Sequence, residues 1–439
     1  MSQHFETRQI HAGQRPDSDT GSRALPIYQT TAYVFDTPEQ AANRFALKEL
    51  GPIYTRLNNP TNEVVENRIA DLEGGVGGLL VASGQAAETL AILTLARAGD
   101  NIVASPSLYG GTKNLFTYTL PRLGIETRFV DNPDDAANFA ALADERTVAF
   151  FGEAIPNPKG DILDIEAVAD AAHNAGVPLI VDNTVPTPFL TRPIEWGADI
   201  VVHSATKYLG GHGTAMAGAI VDAGRFDYGA DPDRFPGFNN PDPSYHGLVY
   251  ARDLGADGPF GANVSYIFKA RLEGQRDIGF ASSPFNAFLI AQGIETLSLR
   301  MERHVDNAQA VAEFLTTRPE VGHVAYASLP DSPYYELAQK YCPRGAGGIV
   351  TIDLKGGREA GRAFISALTL HSHVTNIGDV RSIATHPAST THSQLSEQAL
   401  ANAGVSPGTV RLSVGLEHID DIIADLEAGL AAAGQVSDK

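Results

Sequence analysis

Residues 177–213, VPLIVDNTVPTPFLTRPIEWGADIVVHSATKYLGGHG, decide the fold. They contain two short apolar runs, VPLIVD and ADIVVHS, in which polar and apolar residues do not alternate. A strand of that kind is covered on both faces, as in a parallel sheet with helices above and below it. Each run ends on polar residues, Asp182-Asn183-Thr184 and Ser204-Ala205-Thr206-Lys207, and the second opens into the glycine-rich turn YLGGHG. Ligands on parallel sheets bind beyond the carboxyl ends of the strands, so these two endings are where chemistry is expected.

The pattern repeats on the amino-terminal side. GLLVAS, DNIVASP, IETRFVD and TVAFFGE read as further strands, separated by the helical stretches QAAETLAILTLARAGD, NLFTYTLPRL and IEAVADAAHNAG. NEVVENRIADLEGG, before them, reads as a helix closed by Gly74 and Gly75. The fold class is therefore α/β, with a mostly parallel central sheet and right-handed crossovers. Residues 1–60 are polar and broken by turns, and form an N-terminal arm expected to lie against another subunit. Residues 61–265 make the large domain, with an insertion at 225–260 too rich in aromatics to be a linker. Residues 266–439 make a smaller C-terminal α+β domain. It opens on the long helical runs YIFKARLEGQRDIG and PFNAFLIAQGIETLSLRMERHVDNAQAVAEFL, has strands near 348–354 and 410–414, and closes on a helix near 419–433.

Charge and composition narrow the partners. The chain has 439 residues with 32 Lys plus Arg against 52 Asp plus Glu, a net charge of −20. Such a chain repels phosphate backbones and anionic lipid, which argues against nucleic acid or a membrane surface as partner. The amino terminus lacks an apolar signal core, no run is long enough to span a bilayer, and the single cysteine cannot build a disulfide framework. A cytoplasmic protein is expected. Positive charge is mostly arginine: eight lysines stand against 24 arginines, so a lysine in an apolar setting asks for an explanation.

Lys207 is that lysine. Desolvation at the mouth of a sheet lowers an amine's pKa and makes it a nucleophile near neutral pH; the plain alternative is a lysine snorkelling from a strand end. Ser204 and Thr206 add two hydroxyls beside it. Ser83-Gly84 opens a helix whose free N–H groups and dipole favour an anion, although Ser83 could serve only as an N-cap. Asp182 ends a strand buried on both faces, where a carboxylate needs a partner; it could cap Asn183-Thr184, or it could hold a protonated heterocyclic nitrogen. One cofactor, pyridoxal phosphate, accounts for an amine, a buried Asp, an anion site and hydroxyls together. Tyr109 offers a face to stack on its ring.

The segments YTRLNNPT, SGQAA, LYGGT, PLIVDNT and HSATKYLGGHG, in this order and spacing, resemble the Cys/Met-metabolism family of fold-type I pyridoxal-phosphate enzymes, from near residue 5 to near 433. Within it, FPGFNNPDPSYHGL, LHSHVTNIGDVRSIATHPASTTH and VRLSVGLEHIDDI resemble the O-acetylhomoserine sulfhydrylase group. The resemblance implies Lys207 as the Schiff-base lysine and proton carrier, and Asp182 at the pyridine nitrogen. It implies Gly84, Gln85, Ser204 and Thr206 at the phosphate, with Tyr54 and Arg56 reaching the same phosphate from a neighbouring subunit. It further implies Arg411 at the substrate α-carboxylate, with Asn157 and Ser382 nearby, and Tyr109 assisting proton or leaving-group chemistry. The assembly it implies is a homotetramer built from dimers that share active sites.

The implied reaction is a γ-replacement giving L-homocysteine and acetate from O-acetyl-L-homoserine and sulfide, in methionine biosynthesis. Cystathionine γ-synthase and methionine γ-lyase activities are the alternatives that share the cofactor. No metal is expected: His371 and His373, two apart and read as one face of a strand, lack a third ligand nearby. Cys342 reads as part of a polar loop and takes no role.

Overall fold

A computed structural model describes residues 3–157, 159–390 and 406–437. Seven strands form the larger sheet: β1 (Gly77–Val81), β2 (Asn101–Ala104), β3 (Glu126–Phe129), β4 (Thr147–Glu153), β5 (Leu179–Asp182), β6 (Ile200–Ser204) and β7 (Gly218–Asp222). Their order is β1-β7-β6-β5-β4-β2-β3, with only β7 antiparallel to its neighbours. Successive residues of one strand enter opposite cores. Leu179 and Val181 of β5 join one apolar cluster and Ile180 the other; Val201 of β6 lies in the first, Ile200 and Val202 in the second. Burial on both faces is the physical reason these strands read as unbroken apolar runs.

Register brings two of these endings together. Val81 of β1 and Ser204 of β6 both pair with Gly218 of β7, so the turn after β1 and the turn after β6 lie side by side. A Cβ on Gly218 would stand 2.0 Å from the Ser83 carbonyl oxygen, and one on Gly84 would stand 2.6 Å from the Ser204 Cβ. Glycine at both positions is what lets the two backbones touch.

The second sheet holds β8 (Val321–Ala325), β9 (Ile349–Leu354), β10 (Ser372–His373), β11 (Ile383–Thr385) and β12 (Thr409–Ser413), in the order β10-β11-β12-β9-β8. It is antiparallel except for β10 beside β11. Helix Gly357–Ala367 packs on it, and helix Ile419–Ser437 packs against that helix. The expected run from Pro284 to Leu315 is two helices, Pro284–Ile294 and Leu297–Thr316, separated at Glu295 and Thr296. The helix Ser265–Lys269, at the expected domain boundary, packs on the large domain: the Tyr266 hydroxyl donates to the Ala91 carbonyl at 3.1 Å. The insertion is a packed aromatic cap, with Tyr228 and Phe238 stacked at 4.2 Å and Phe235, Tyr245 and Tyr250 buried beside them.

Two expectations change. Cys342 is buried in the core at the end of helix Tyr335–Tyr341, and burial pushes its thiol up to about 12. His371 and His373 do not share a strand face. β10 begins only at Ser372; His371 is buried with its Nδ1 2.8 Å from Asp425, while His373 is exposed.

Asp425 also accepts the backbone N–H groups of Thr369, Leu370 and His371 at 2.7, 3.0 and 3.0 Å. Burial raises its carboxyl, but these donors and His371 outweigh it and hold the group well below the usual range. The resulting stability is complete above the unfolded value of about 3.9 and disappears as pH falls through the lower folded value. Asp425→Ala should cost on the order of 3 kcal/mol at neutral pH. The difference from wild type in denaturant titrations should shrink in acid.

Candidate active site

The strand ends build a cleft at the carboxyl edge of the larger sheet. Ser83, Gly84 and Gln85 line it from the turn after β1, Tyr109 from the loop after β2, and Glu153 and Asn157 from the end of β4. Asp182 and Thr184 line it from β5, and Ser204, Thr206 and Lys207 from β6. The second sheet closes the other side with Thr375, Asn376, Ile377 and Arg411.

Alternation at the strand ends separates two layers. Asp182 and Ser204 face the cleft, while Asn183 and His203 turn the other way onto Glu73, which is fully buried. Asn183 donates to its Oε1 at 2.8 Å and the His203 Nε2 lies 2.6 Å from the same atom. Thr184 ties the two strands above that layer: its N–H donates to Asp182 at 2.8 Å and its hydroxyl accepts the Ser204 N–H at 2.8 Å. The hydroxyl of Thr206 is hydrogen-bonded to the backbone of Ala217 across the turn.

Lys207 donates from Nζ to Asn376 Oδ1 at 2.6 Å. Its pKa is lowered, first by burial and then by repulsion from Arg411. Two backbone contacts bring Asn376 there. Val380 donates to the Gly211 carbonyl at 2.9 Å, and Gly378, at φ +70°, lies so close that a Cβ would stand 2.7 Å from the Tyr208 nitrogen. Arg411, on β12, donates to the Asn376 carbonyl at 3.0 Å and reaches Asn157 at 3.5 Å. Among the described residues its Nε has no partner and no carboxylate pairs with it. Burial lowers its pKa to about 10. A half-buried guanidinium without an anion is a place for a ligand carboxylate.

Three carboxyls share the cleft. Desolvation raises Asp182, Glu88 and Glu153, and each of the two glutamates is raised further by repulsion from Asp182. Glu153 is held by the Tyr109 N–H, which aims that loop over the cleft. Glu153 ends TVAFFGE as Asp182 ends VPLIVD, so its burial was readable by the same signal. Glu88 and Asn376 carried no comparable signal.

These features fit pyridoxal phosphate. Ser83 caps the helix Gly84–Leu95 by accepting from Ala86 at 3.1 Å, which leaves the N–H groups of Gly84 and Gln85 without acceptors inside the helix. Those donors suit a phosphate, the carboxylate of Asp182 suits a protonated ring nitrogen, and the amine of Lys207 lies in the same cleft. Three predicted residues do not line it. Tyr54 and Arg56 are exposed on the arm, the guanidinium 5.1 Å from the ring centre. Ser382 is fully buried; its N–H and hydroxyl donate to Glu417 at 2.6 and 2.9 Å, and its hydroxyl accepts the Gly415 N–H at 2.9 Å. From this loop Thr375, Asn376 and Ile377 line the cleft, and Asn376, six residues before Ser382, meets Lys207. Pro158 and two motif residues, Thr391 and His392, lie outside the described residues.

Residues 6–431 match the family described as Cys/Met metabolism PLP-dependent enzymes. The O-acetyl-L-homoserine sulfhydrylase of Corynebacterium glutamicum is 55% identical, covering 98% of this chain and 97% of its own length. That of Leptospira meyeri is 54% identical, covering 97% and 96%. A crystal structure from Campylobacter jejuni, described as an O-acetylhomoserine (thiol)-lyase, superposes with a TM-score of 0.92 at 42% identity. It covers 98% of this chain and 100% of its own, and carries N'-pyridoxyl-lysine-5'-monophosphate.

The charge of Arg411 is a cause of the low pKa of Lys207 that substitution can remove. In cofactor-free protein, amine labelling followed by mass spectrometry should find Lys207 reacting at lower pH than exposed lysines. Arg411→Leu should move its labelling profile to higher pH.

Proposed function

Because the chain belongs to the Cys/Met-metabolism family of pyridoxal-phosphate-dependent enzymes, we propose that it converts O-acetyl-L-homoserine and sulfide to L-homocysteine and acetate. The observation that carries this reading is the whole-length similarity to sulfhydrylases of that name. The unpaired Arg411 beside Lys207 supports it from the side of the amino-acid substrate.

Bound pyridoxal phosphate supplies the electron sink that makes an amino acid's Cα proton removable. Gly84, Gln85, Ser204 and Thr206 would hold its phosphate, Asp182 its ring nitrogen, Tyr109 its ring face and Lys207 its carbonyl carbon. Arg411, with Asn157 beside it, would orient the substrate through its α-carboxylate. Asn376 takes the place expected for Ser382, since its side chain meets the amine of Lys207 and its carbonyl meets Arg411. A γ-replacement needs one proton taken from Cα and another from Cβ before acetate leaves Cγ, and protons returned after sulfide adds. Among the described residues, Lys207 is the only lysine lining the cleft. Burial and the charge of Arg411 lower its pKa, the direction that proton transfer from carbon requires. The rim of Val185, Ile155, Ile377 and Met216 limits water around it.

The arm supports a homo-oligomer, read as a tetramer built from dimers. Tyr54 and Arg56 stand outside their own chain's cleft, and Val34, Phe45 and Leu50 of the same arm are exposed, Val34 by 92%. In this reading the pair completes the phosphate site of a neighbouring copy. The reaction would serve methionine biosynthesis in the cytoplasm; among the described residues no helix is long and apolar enough to cross a membrane.

Product analysis tests the reaction. Cofactor-loaded protein given O-acetyl-L-homoserine should form homocysteine with sulfide, and little cystathionine with cysteine. Cystathionine as the main product, or 2-oxobutanoate without any thiol, would overturn the reading. Mixed subunits test the shared site: Lys207→Ala should lose roughly 10²–10⁴-fold in kcat and Arg56→Ala should lose phosphate affinity. Hybrids of the two should regain activity, because one of the two kinds of cleft is then intact.

A further inference from the structure

Glu88 has no part in the chemistry above, yet it lies in the cleft with 4% of its surface exposed. It sits one turn into the helix Gly84–Leu95, which delivers it beneath the turn that follows β1. The hydroxyl of Thr112 donates to its Oε1 at 2.9 Å, and the Gln85 amide reaches its Oε2 at 3.3 Å. The carboxyls of Glu88 and Asp182 are within hydrogen-bonding reach of each other.

Two carboxylates cannot lie side by side out of water without a proton or a cation between them. Among the described residues, the groups facing the pair are Glu153 from the end of β4, Thr112 from the next helix, Gln85 from the same helix as Glu88, and Thr184 after β5. The two cations of the cleft, Lys207 and Arg411, donate instead to Asn376. His203 acts on Asp182 only through its field from the opposite face of the sheet. Both oxygens of Glu88 accept a donor, Oε1 from Thr112 at 2.9 Å and Oε2 from the Gln85 amide at 3.3 Å; the shorter bond marks Oε1 as the carbonyl-type oxygen, and Oε2 is the atom that carries hydrogen.

We propose that Glu88 is a neutral carboxylic acid whose Oε2–H donates to the carboxylate of Asp182, making it a positioning residue for the contact between Asp182 and the cofactor ring. This rests on the reading of Asp182 as the partner of the ring nitrogen. A donor aimed at Asp182 favours its anionic form, which is the form that can hold a protonated ring nitrogen. Thr112 sets which oxygen holds the proton, and Thr184 supplies a second donor to the same carboxylate. Desolvation and repulsion from Asp182 act on Glu88 in the direction this requires.

Infrared difference spectra of holoenzyme, wild type minus Glu88→Gln, test the proton directly. A carbonyl stretch of a neutral carboxylic acid, sensitive to exchange into D2O, is expected in wild type and absent from Glu88→Gln. Thr112→Val should keep the band and move it to higher frequency, because Oε1 loses its donor. In kinetics, Glu88→Ala should lower kcat roughly tenfold or more, with KM within about a factor of two. Glu88→Gln, whose amide can still donate to Asp182, should recover most of the loss. Wild type that binds pyridoxal phosphate and turns over but shows no such band would overturn this inference alone. So would a Gln variant as impaired as the Ala variant. Wild type that takes up no pyridoxal phosphate would overturn the proposed function and this inference with it.

Discussion

A carboxylate taken out of water at the end of a doubly covered strand must be met by donors, a proton or a cation. Asp182 is in that position, and the site is organised around it. Thr184 donates to it, Glu88 shares its hydrogen-bonding reach, and its free valence opens onto the cleft. The mate of this constraint is on the other wall: Arg411 is a half-buried cation with no carboxylate partner among the described residues. Negative charge on the sheet side and positive charge on the C-terminal side are each incomplete within one chain. A bound cofactor with a cationic ring nitrogen and a substrate with an anionic carboxylate would complete both.

Placing those two walls together depends on backbone contacts that exclude side chains. Gly218 and Gly84 let the turns after β1 and β6 touch, which puts the helix start with its free N–H groups beside Ser204. Gly378 lets the loop of the C-terminal domain lie on Tyr208, directly after Lys207. Through that loop the small domain supplies Asn376 to the amine and, through β12, Arg411 to the same cleft. Asp425 anchors the segment entering β10, so a buried carboxylate far from the chemistry helps hold the loop's starting point.

The residues most legible in the sequence were those at the ends of apolar strands. Asp182, Ser204 and Lys207 stood out because a polar residue there has no bland surface to occupy, and the structure brings all three to one cleft. Glu153, at the end of TVAFFGE, carries the same signal and lines the same cleft. Ser382 was misplaced because the loop TNIGDVRSI offers several polar residues and no periodicity to orient them. Its buried hydroxyl turns onto Glu417 and Gly415, while Asn376 faces the amine. The pair of histidines misled for a related reason: a spacing of two implies one face only inside a strand, and β10 is two residues long. Cys342 looked polar from its neighbours, but the end of its helix is packed into the core.

The sequence by itself determined the α/β class, the strand ends that meet at the cleft, the family, and the place of Lys207 at the mouth of the sheet. These follow from local signals: apolar run length, the residue that ends each run, and glycine where a turn needs it. Only the tertiary structure decided which carboxyls lie together, that Asn376 rather than Ser382 lines the cleft, and that Arg411 has no anion of its own among the described residues. Those depend on distances between segments as far apart in the chain as Asn157 and Arg411. Burial and charge pairing are set by what packs nearby in space, which no local pattern records.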